Sequence, residues 1–311
     1  MIAKCAFGVT VNSLKDPEND YFRMGLYITA FPFSQQLKFF GYSAVPKLMS
    51  FLKVQMFDKT ASEFFTDLVR GAVEYREKND IKINDVINIL MEARKGGTIR
   101  EDKDEKAADN DFGFATVQLS NVRGNKVTSI KFESSINKSL NFNNHLEWDD
   151  DDMTAQCMLF FLAGFDTVST AMMFMGYEIA INPEVQTILL QEIDDLLESL
   201  NGKLPSYEDI QKMEYLDCVV SESLRLWTPV LFLDRICTKP LTIEDSDGTK
   251  VELQVDDGIF FPINCLHMDP NYFPNPTKFD PERFSVANRD NIKPFTYMPF
   301  GVGPRNCIGS R

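Results

Sequence analysis

The stretch Phe300-Gly301-Val302-Gly303-Pro304-Arg305-Asn306-Cys307-Ile308-Gly309-Ser310-Arg311 decides the reading of this chain. It sets one cysteine in a loop with three glycines and a proline, an aromatic residue ahead of the loop and an arginine inside it. Such a loop suits a metal ligand presented from close to the backbone. Glycines carry no Cβ to hold the main chain away from a flat group. Amide N–H groups turned towards the sulfur favour it as thiolate. Taken alone, Cys307 reads as one more small buried hydrophobe. The surrounding pattern sets it apart from Cys5, Cys157, Cys218, Cys237 and Cys265.

The 311 residues are enough for a large core and for two domains. A hydrophobic share of 44% marks a globular chain, and a net charge of -14 argues against nucleic acid as a partner. The six cysteines form no CxxC pair and read as reduced thiols. His145 and His267 are the only histidines and lie far apart, so a multi-histidine metal site is not expected. No signal peptide or membrane span is expected, since the longest strongly apolar run, Met158 to Phe165, is short.

Along the chain, residues 1 to 14 read as the end of a helix, followed by a turn at Pro17. The aromatic stretch from Tyr21 to Tyr42 reads as a pair of amphipathic helices around Pro32 and Pro46. Phe57 to Asn79 is one long amphipathic helix with Phe64, Phe65, Leu68, Val69 and Val73 on a stripe. Lys82 to Lys95 is another, stopped by Gly96-Gly97. Residues 98–147 open with an acidic run and continue with Ser, Asn and Gly, so they read as a flexible solvated insertion. Trp148 to Ala180 is the longest helix, with Asp149 to Asp152 capping its start. It is apolar nearly all round and is expected to be buried. Helices follow to about Leu200, over Pro205 to Met213, and over Glu214 to Trp227. Leu231 to Phe261 reads as short strands and hairpins, broken at Asp247-Gly248 and Asp257-Gly258. Pro262 to Pro299 is a proline-punctuated meander.

Three further motifs stand upstream of the cysteine. Ala163-Gly164-Phe165-Asp166-Thr167 puts a glycine, an acid and a hydroxyl into a greasy helix, where the glycine and an unpaired carboxylate would both cost stability. On the residues alone, a helix–helix contact at Gly164 with a surface Asp166 is the plainer reading. The other is a widened helical turn. Glu222-Ser223-Leu224-Arg225 puts an acid and a base on one helix face, and Pro281-Glu282-Arg283-Phe284 supplies a second arginine.

In this order the motifs resemble the cytochrome P-450 superfamily. Its haem-binding loop, Phe-x-x-Gly-x-Arg-x-Cys-x-Gly, is filled by Phe300, Gly303, Arg305, Cys307 and Gly309, with Gly301 in the same loop. The resemblance implies a mainly α fold with small β-sheets, incomplete at both ends. It implies a single partial domain: helices over a substrate cavity at 1–97, the insertion at 98–147, the central helix and those after it at 148–230, and strands, meander and thiolate loop at 231–311. It implies heme b, with Cys307 as the iron's thiolate ligand. Arg235 and Arg305 would neutralise the propionates. Thr167 would hydrogen-bond the reacting oxygen and Asp166 would relay protons. Glu222, Arg225 and Arg283 would form a buried structural network behind the haem. His267 is expected to be structural.

The activity implied is insertion of one oxygen atom from dioxygen into an apolar small molecule. Electrons would come from NADPH through NADPH-cytochrome P-450 reductase, on the cytosolic face of the endoplasmic reticulum membrane. The texture around Cys307 is similar to the microsomal, insect-type branch that handles foreign compounds. The start reads like the middle of a helix, and the chain stops just after the cysteine loop, where the resembling family starts a long helix, so the chain reads as a C-terminal fragment, inactive by itself. Two rivals stay open: a haem-thiolate isomerase or dehydratase that needs no reductase, against which Asp166-Thr167 counts, and a truncated, non-functional haem-binding fragment.

Overall fold

A computed structural model describes residues 2–30, 32–55, 57, 59–83, 85–94 and 149–310. The acidic insertion at 98–147, the stop at Gly96-Gly97, and Trp148 and Arg311 lie outside the described residues. The fold is mainly helical with small antiparallel sheets. The described helices are α1 (Ile2–Phe7), α2 (Asp20–Thr29), α3 (Phe33–Ala44), α4 (Pro46–Phe51), α5 (Lys59–Asn79), α6 (Val86–Arg94), α7 (Asp150–Ile181), α8 (Pro183–Ser199), α9 (Tyr207–Gln211), α10 (Glu214–Leu226) and α11 (Ile263–His267). The aromatic stretch from Tyr21 to Tyr42 makes the pair α2 and α3, parted at Pro32, and Pro46 then starts the short α4. The chain forms two compact units, one holding the described residues up to Asp166 and the other those from Thr167.

In the first unit the i, i+4 spacing of α5 buries Ala61, Phe65, Val69 and Val73 on one stripe. The same spacing in α7 buries Met153, Cys157 and Phe161. The two stripes share one core with Phe7, whose ring centroid lies 5.7 Å from that of Phe65 and 5.8 Å from that of Phe161. Arg76, at the end of the α5 stripe, is buried and meets its match there. Its guanidinium binds Asp85 bidentately at 2.7 and 2.6 Å and donates to the Phe7 carbonyl at 3.2 Å. Gly8, just after α1, has φ +69°, and a Cβ there would fall 2.5 Å from Asp85 Oδ2 and 2.7 Å from Arg76 Nη2. Only glycine lets the chain turn this close to the ion pair.

α7 begins with a reciprocal cap: the Asp152 amide donates to Asp149 Oδ1 at 2.8 Å and the Asp149 amide to Asp152 Oδ2 at 3.3 Å. The expectation that this helix is buried does not hold. Only 17% of its most apolar stretch is buried, and Leu159, Val168, Met172, Met173, Tyr177 and Ile181 are exposed. Its apolar residues surround the axis, and the described neighbours cover only some faces. The expected absence of any membrane-length segment is corrected too, since α7 is long and apolar enough to cross a bilayer by length and composition. A polar residue inside an otherwise apolar helix does not interrupt it, which is why counting strictly apolar residues underestimates its span.

The second unit is centred on α10, where Cys218, Val219 and the run Ser221 to Arg225 are buried. Val219 packs with Val185 and Leu189 of α8 and with Phe279, and Cys218 packs with Phe273, Phe284 and Tyr297. The α10 helix hands over to Trp227, whose ring stacks on Phe174 at 4.3 Å and whose indole N–H donates to the buried Glu178 at 2.7 Å. Four strands follow: β1 (Leu233–Ile236), β2 (Leu241–Glu244), β3 (Lys250–Leu253) and β4 (Gly258–Phe261). β2 and β3 form a hairpin across Asp247-Gly248, and β1 pairs antiparallel with β4, Leu233 opposite Phe261. The meander carries short 3₁₀ turns at Pro281–Phe284, Arg289–Asn291 and Gly303–Arg305.

Candidate functional site

Glu222, Arg225 and Arg283 meet in the second unit. One turn of α10 sets Glu222 and Arg225 three residues apart on its buried face, and both are fully buried. Arg225 Nε donates to Glu222 Oε2 at 2.7 Å and Nη2 to Oε1 at 2.8 Å, a planar two-point match. Arg225 also donates to the carbonyls of His267 and Pro276, each at 2.8 Å, so it joins α10 to α11 and to the meander. Glu222 accepts the Asp280 amide at 2.9 Å, and Arg283 Nε lies 3.4 Å from its carboxylate. Burial pushes the Glu222 carboxyl upward, and the hydrogen bonds from Arg225 oppose that. Arg283 reaches past the pair to the Asn275 carbonyl at 3.0 Å.

The cysteine loop follows the meander. The Gly301 amide donates to the Met298 carbonyl at 3.0 Å, and the Cys307 amide donates back to the Phe300 carbonyl at 2.8 Å, closing the turn. Gly301 and Gly303 have φ +69° and +82°, the left-handed region that the turn requires. A Cβ on Gly301 would lie 3.2 Å from Leu233 of β1, so the loop rests on that strand. Leu233 and Arg235 share the partly buried face of β1. Arg235 Nη1 donates to the Asp234 carbonyl at 2.6 Å. Phe300 is half-buried, whereas Arg305, Cys307 and Gly309 are exposed. Gly309 sits beside the sulfur: a Cβ there would lie 3.9 Å from Cys307 Sγ.

The other thiols differ. Cys5 and Cys265 are also exposed but sit on helices α1 and α11, away from any glycine-rich loop, and Cys237 is buried. Cys157 and Cys218 are buried, and burial pushes each up to about 12, so both stay protonated. Among the described residues no group of three or more His, Cys, Asp or Glu could hold a metal ion. The donor set is therefore one exposed thiol on a glycine-hinged loop, with arginines at 235 and 305. That composition fits a haem that Cys307 would hold through its thiolate, with Arg235 and Arg305 as cations for its carboxylates.

The oxygen motif is placed differently from one of its two readings. α7 stays α-helical from Asp150 to Ile181, so no widened turn is present. Gly164 makes a close approach instead, where a Cβ would meet Ile2 Cδ1 at 2.6 Å. Asp166 is exposed and Thr167 half-buried.

A profile of the family described as Cytochrome P450 matches residues 132–311. This chain belongs to the cytochrome P450 family. The chain is 44% identical to "Cytochrome P450 9e2" of Blattella germanica, over all of this chain and 52% of that protein. It is 42% identical to "Probable cytochrome P450 9f2" and 41% identical to "Cytochrome P450 9c1", both of Drosophila melanogaster, over all of this chain and 53% and 54% of theirs. The chain thus spans about half the length of the curated relatives it matches. Membership implies haem iron with cysteine thiolate ligation. His267, expected to be a hydrogen-bonded structural residue and not an iron ligand, is hydrogen-bonded, and the structure names its partner. Its Nε2 accepts the Met298 amide at 2.9 Å, a bond across 31 residues that no local pattern announces.

Proposed function

We propose that this chain carries the thiolate-bearing half of a haem-thiolate monooxygenase that oxidises an apolar small molecule, with electrons from NADPH through a reductase at the endoplasmic reticulum membrane. The observation that supports it most is the closed Phe300–Cys307 turn, which holds the chain's one loop-borne thiol open to a ligand. Bound haem supplies dioxygen activation, driven by the electron density that a thiolate pushes onto the iron.

The chain's own residues set the conditions for that chemistry. Cys307 provides the sulfur, and Gly301, Gly303 and Gly309 leave the loop without side chains that would crowd a flat ring. Phe300 packs at the mouth of the turn. Arg235 and Arg305 would bind the haem's carboxylates by charge-assisted hydrogen bonds. Asp166, exposed on α7, would relay protons from solvent through its carboxylate, and Thr167 would offer its hydroxyl as a hydrogen-bond donor to the reacting oxygen. Glu222, Arg225 and Arg283 hold the meander rigid and touch no reactant.

The relatives matched are insect cytochromes P450; a foreign compound as the substrate rests on the resemblance around Cys307 to the insect microsomal branch. Cys307→Ser in a full-length chain bearing this sequence tests the reading. The carbon-monoxide difference spectrum is expected to lose its thiolate-type Soret band. A variant that keeps the band removes Cys307 from the iron.

A further inference from the structure

His267 ends α11 and is fully buried. It is tied at both ends. Its carbonyl accepts Arg225 Nη1 at 2.8 Å, and its imidazole Nε2 accepts the Met298 N–H at 2.9 Å. A ring that accepts at Nε2 carries its proton on Nδ1. Burial and the Arg225 cation push the imidazole down to about 4, so the acceptor is present at neutral pH. The ring's orientation is fixed by Tyr297, stacked at 5.3 Å, and by Phe273, edge-on at 6.5 Å. Tyr297 is itself anchored, its hydroxyl donating to the Ser221 carbonyl in α10 at 2.9 Å.

Beyond Met298 the bonds continue. The Met298 carbonyl takes the Gly301 amide, and the Phe300 carbonyl takes the Cys307 amide. One path therefore runs from the Glu222 carboxylate through Arg225, His267 and Met298 to the turn that presents the sulfur. Every link in it lies within the second unit. An aliphatic residue could fill the same volume, but it would leave the Met298 amide without its acceptor.

We propose that His267 is a positioning residue for the Cys307 loop. Its neutral imidazole fixes the amide at which the chain enters the turn, and so passes the rigidity of the buried Glu222–Arg225 pair to the cysteine. The functional weight of this tether rests on Cys307 being the haem ligand, but the tether itself lies wholly in the polypeptide.

The experiment is amide hydrogen exchange at Met298, Gly301 and Cys307 in the unaltered chain and in His267→Gln and His267→Phe, without added haem. Gln keeps an acceptor near the place of Nε2. Phe keeps the ring and loses the acceptor. Met298 is expected to be protected in the unaltered chain and in the Gln variant. In the Phe variant the three amides should exchange at least about 10-fold faster, the loss expected for one hydrogen bond, while α10 amides stay unchanged. Unaltered protection in the Phe variant overturns the proposal, and so does a loss spread equally over α10, which would mark His267 as ordinary core. If the Phe variant does not fold, the other two chains decide. A Met298 amide that exchanges as fast as exposed neighbours in the unaltered chain refutes the tether, and protection shared by that chain and the Gln variant supports it. A failed Cys307→Ser test would leave these results standing, so the two readings fail separately.

Discussion

Replacing Glu222 by alanine removes the carboxylate that pairs with Arg225, a fully buried charge in the second unit. Arg225 loses the partner of its 2.7 and 2.8 Å bonds, and the Asp280 amide loses the acceptor of its 2.9 Å bond. Removing one partner of a buried pair costs about 3–5 kcal/mol, because the other charge stays buried without compensation. An orphaned amide adds about 1 kcal/mol. The total is about 4–6 kcal/mol. With a urea slope of about 3 kcal/mol/M, the unfolding midpoint should fall by about 1.3–2 M. The double variant Glu222→Leu, Arg225→Met removes both charges and should be milder. Its remaining costs are the Asp280 amide without its acceptor and the His267 and Pro276 carbonyls without their donor, together about 2–4 kcal/mol. Urea titration followed by far-ultraviolet circular dichroism and by fluorescence reads both. Trp227, stacked beside the end of α10, reports on this unit. A midpoint shift below about 0.3 M for Glu222→Ala, or a double variant worse than the single one, would refute the view that an uncompensated charge dominates.

Gly8→Ala forces a Cβ into the Arg76–Asp85 pair at a left-handed φ, and should cost about 2–4 kcal/mol in the first unit; thermal melting that moves by less than a degree would contradict it. His267 has a folded-state value near 4, below its ordinary 6.5, so its share of stability is fully present above pH 6.5 and is lost as pH falls towards about 4. Over that interval the loss approaches about 3 kcal/mol at about 1.4 kcal/mol per pH unit, and urea midpoints for His267→Gln should lack this acid dependence; parallel pH profiles would show that the ring does not titrate as described. Thr167→Ala in a full-length chain should keep its haem while the ratio of product formed to NADPH consumed falls, since one positioned proton donor contributes about 10²–10⁴-fold to its step. An unchanged ratio would return Thr167 to helix packing.

The sequence by itself determined the elements whose signals are local. The α5 stripe follows from i, i+4 spacing, the α7 cap from Asp149 and Asp152, and the β2–β3 hairpin from Asp247-Gly248. The meeting of Arg283 with Glu222 was legible only through the family resemblance, since no local pattern links residues so far apart. Tertiary structure alone decided the rest. The Arg76–Asp85 pair, the demand for glycine at position 8, the Glu178–Trp227 bond and the His267–Met298 tether join residues whose distances along the chain carry no periodic signal. Exposure of α7 was misjudged for a related reason. Composition tells how apolar a helix is, but burial depends on which of its faces find neighbours, and that is settled only when the chain is packed.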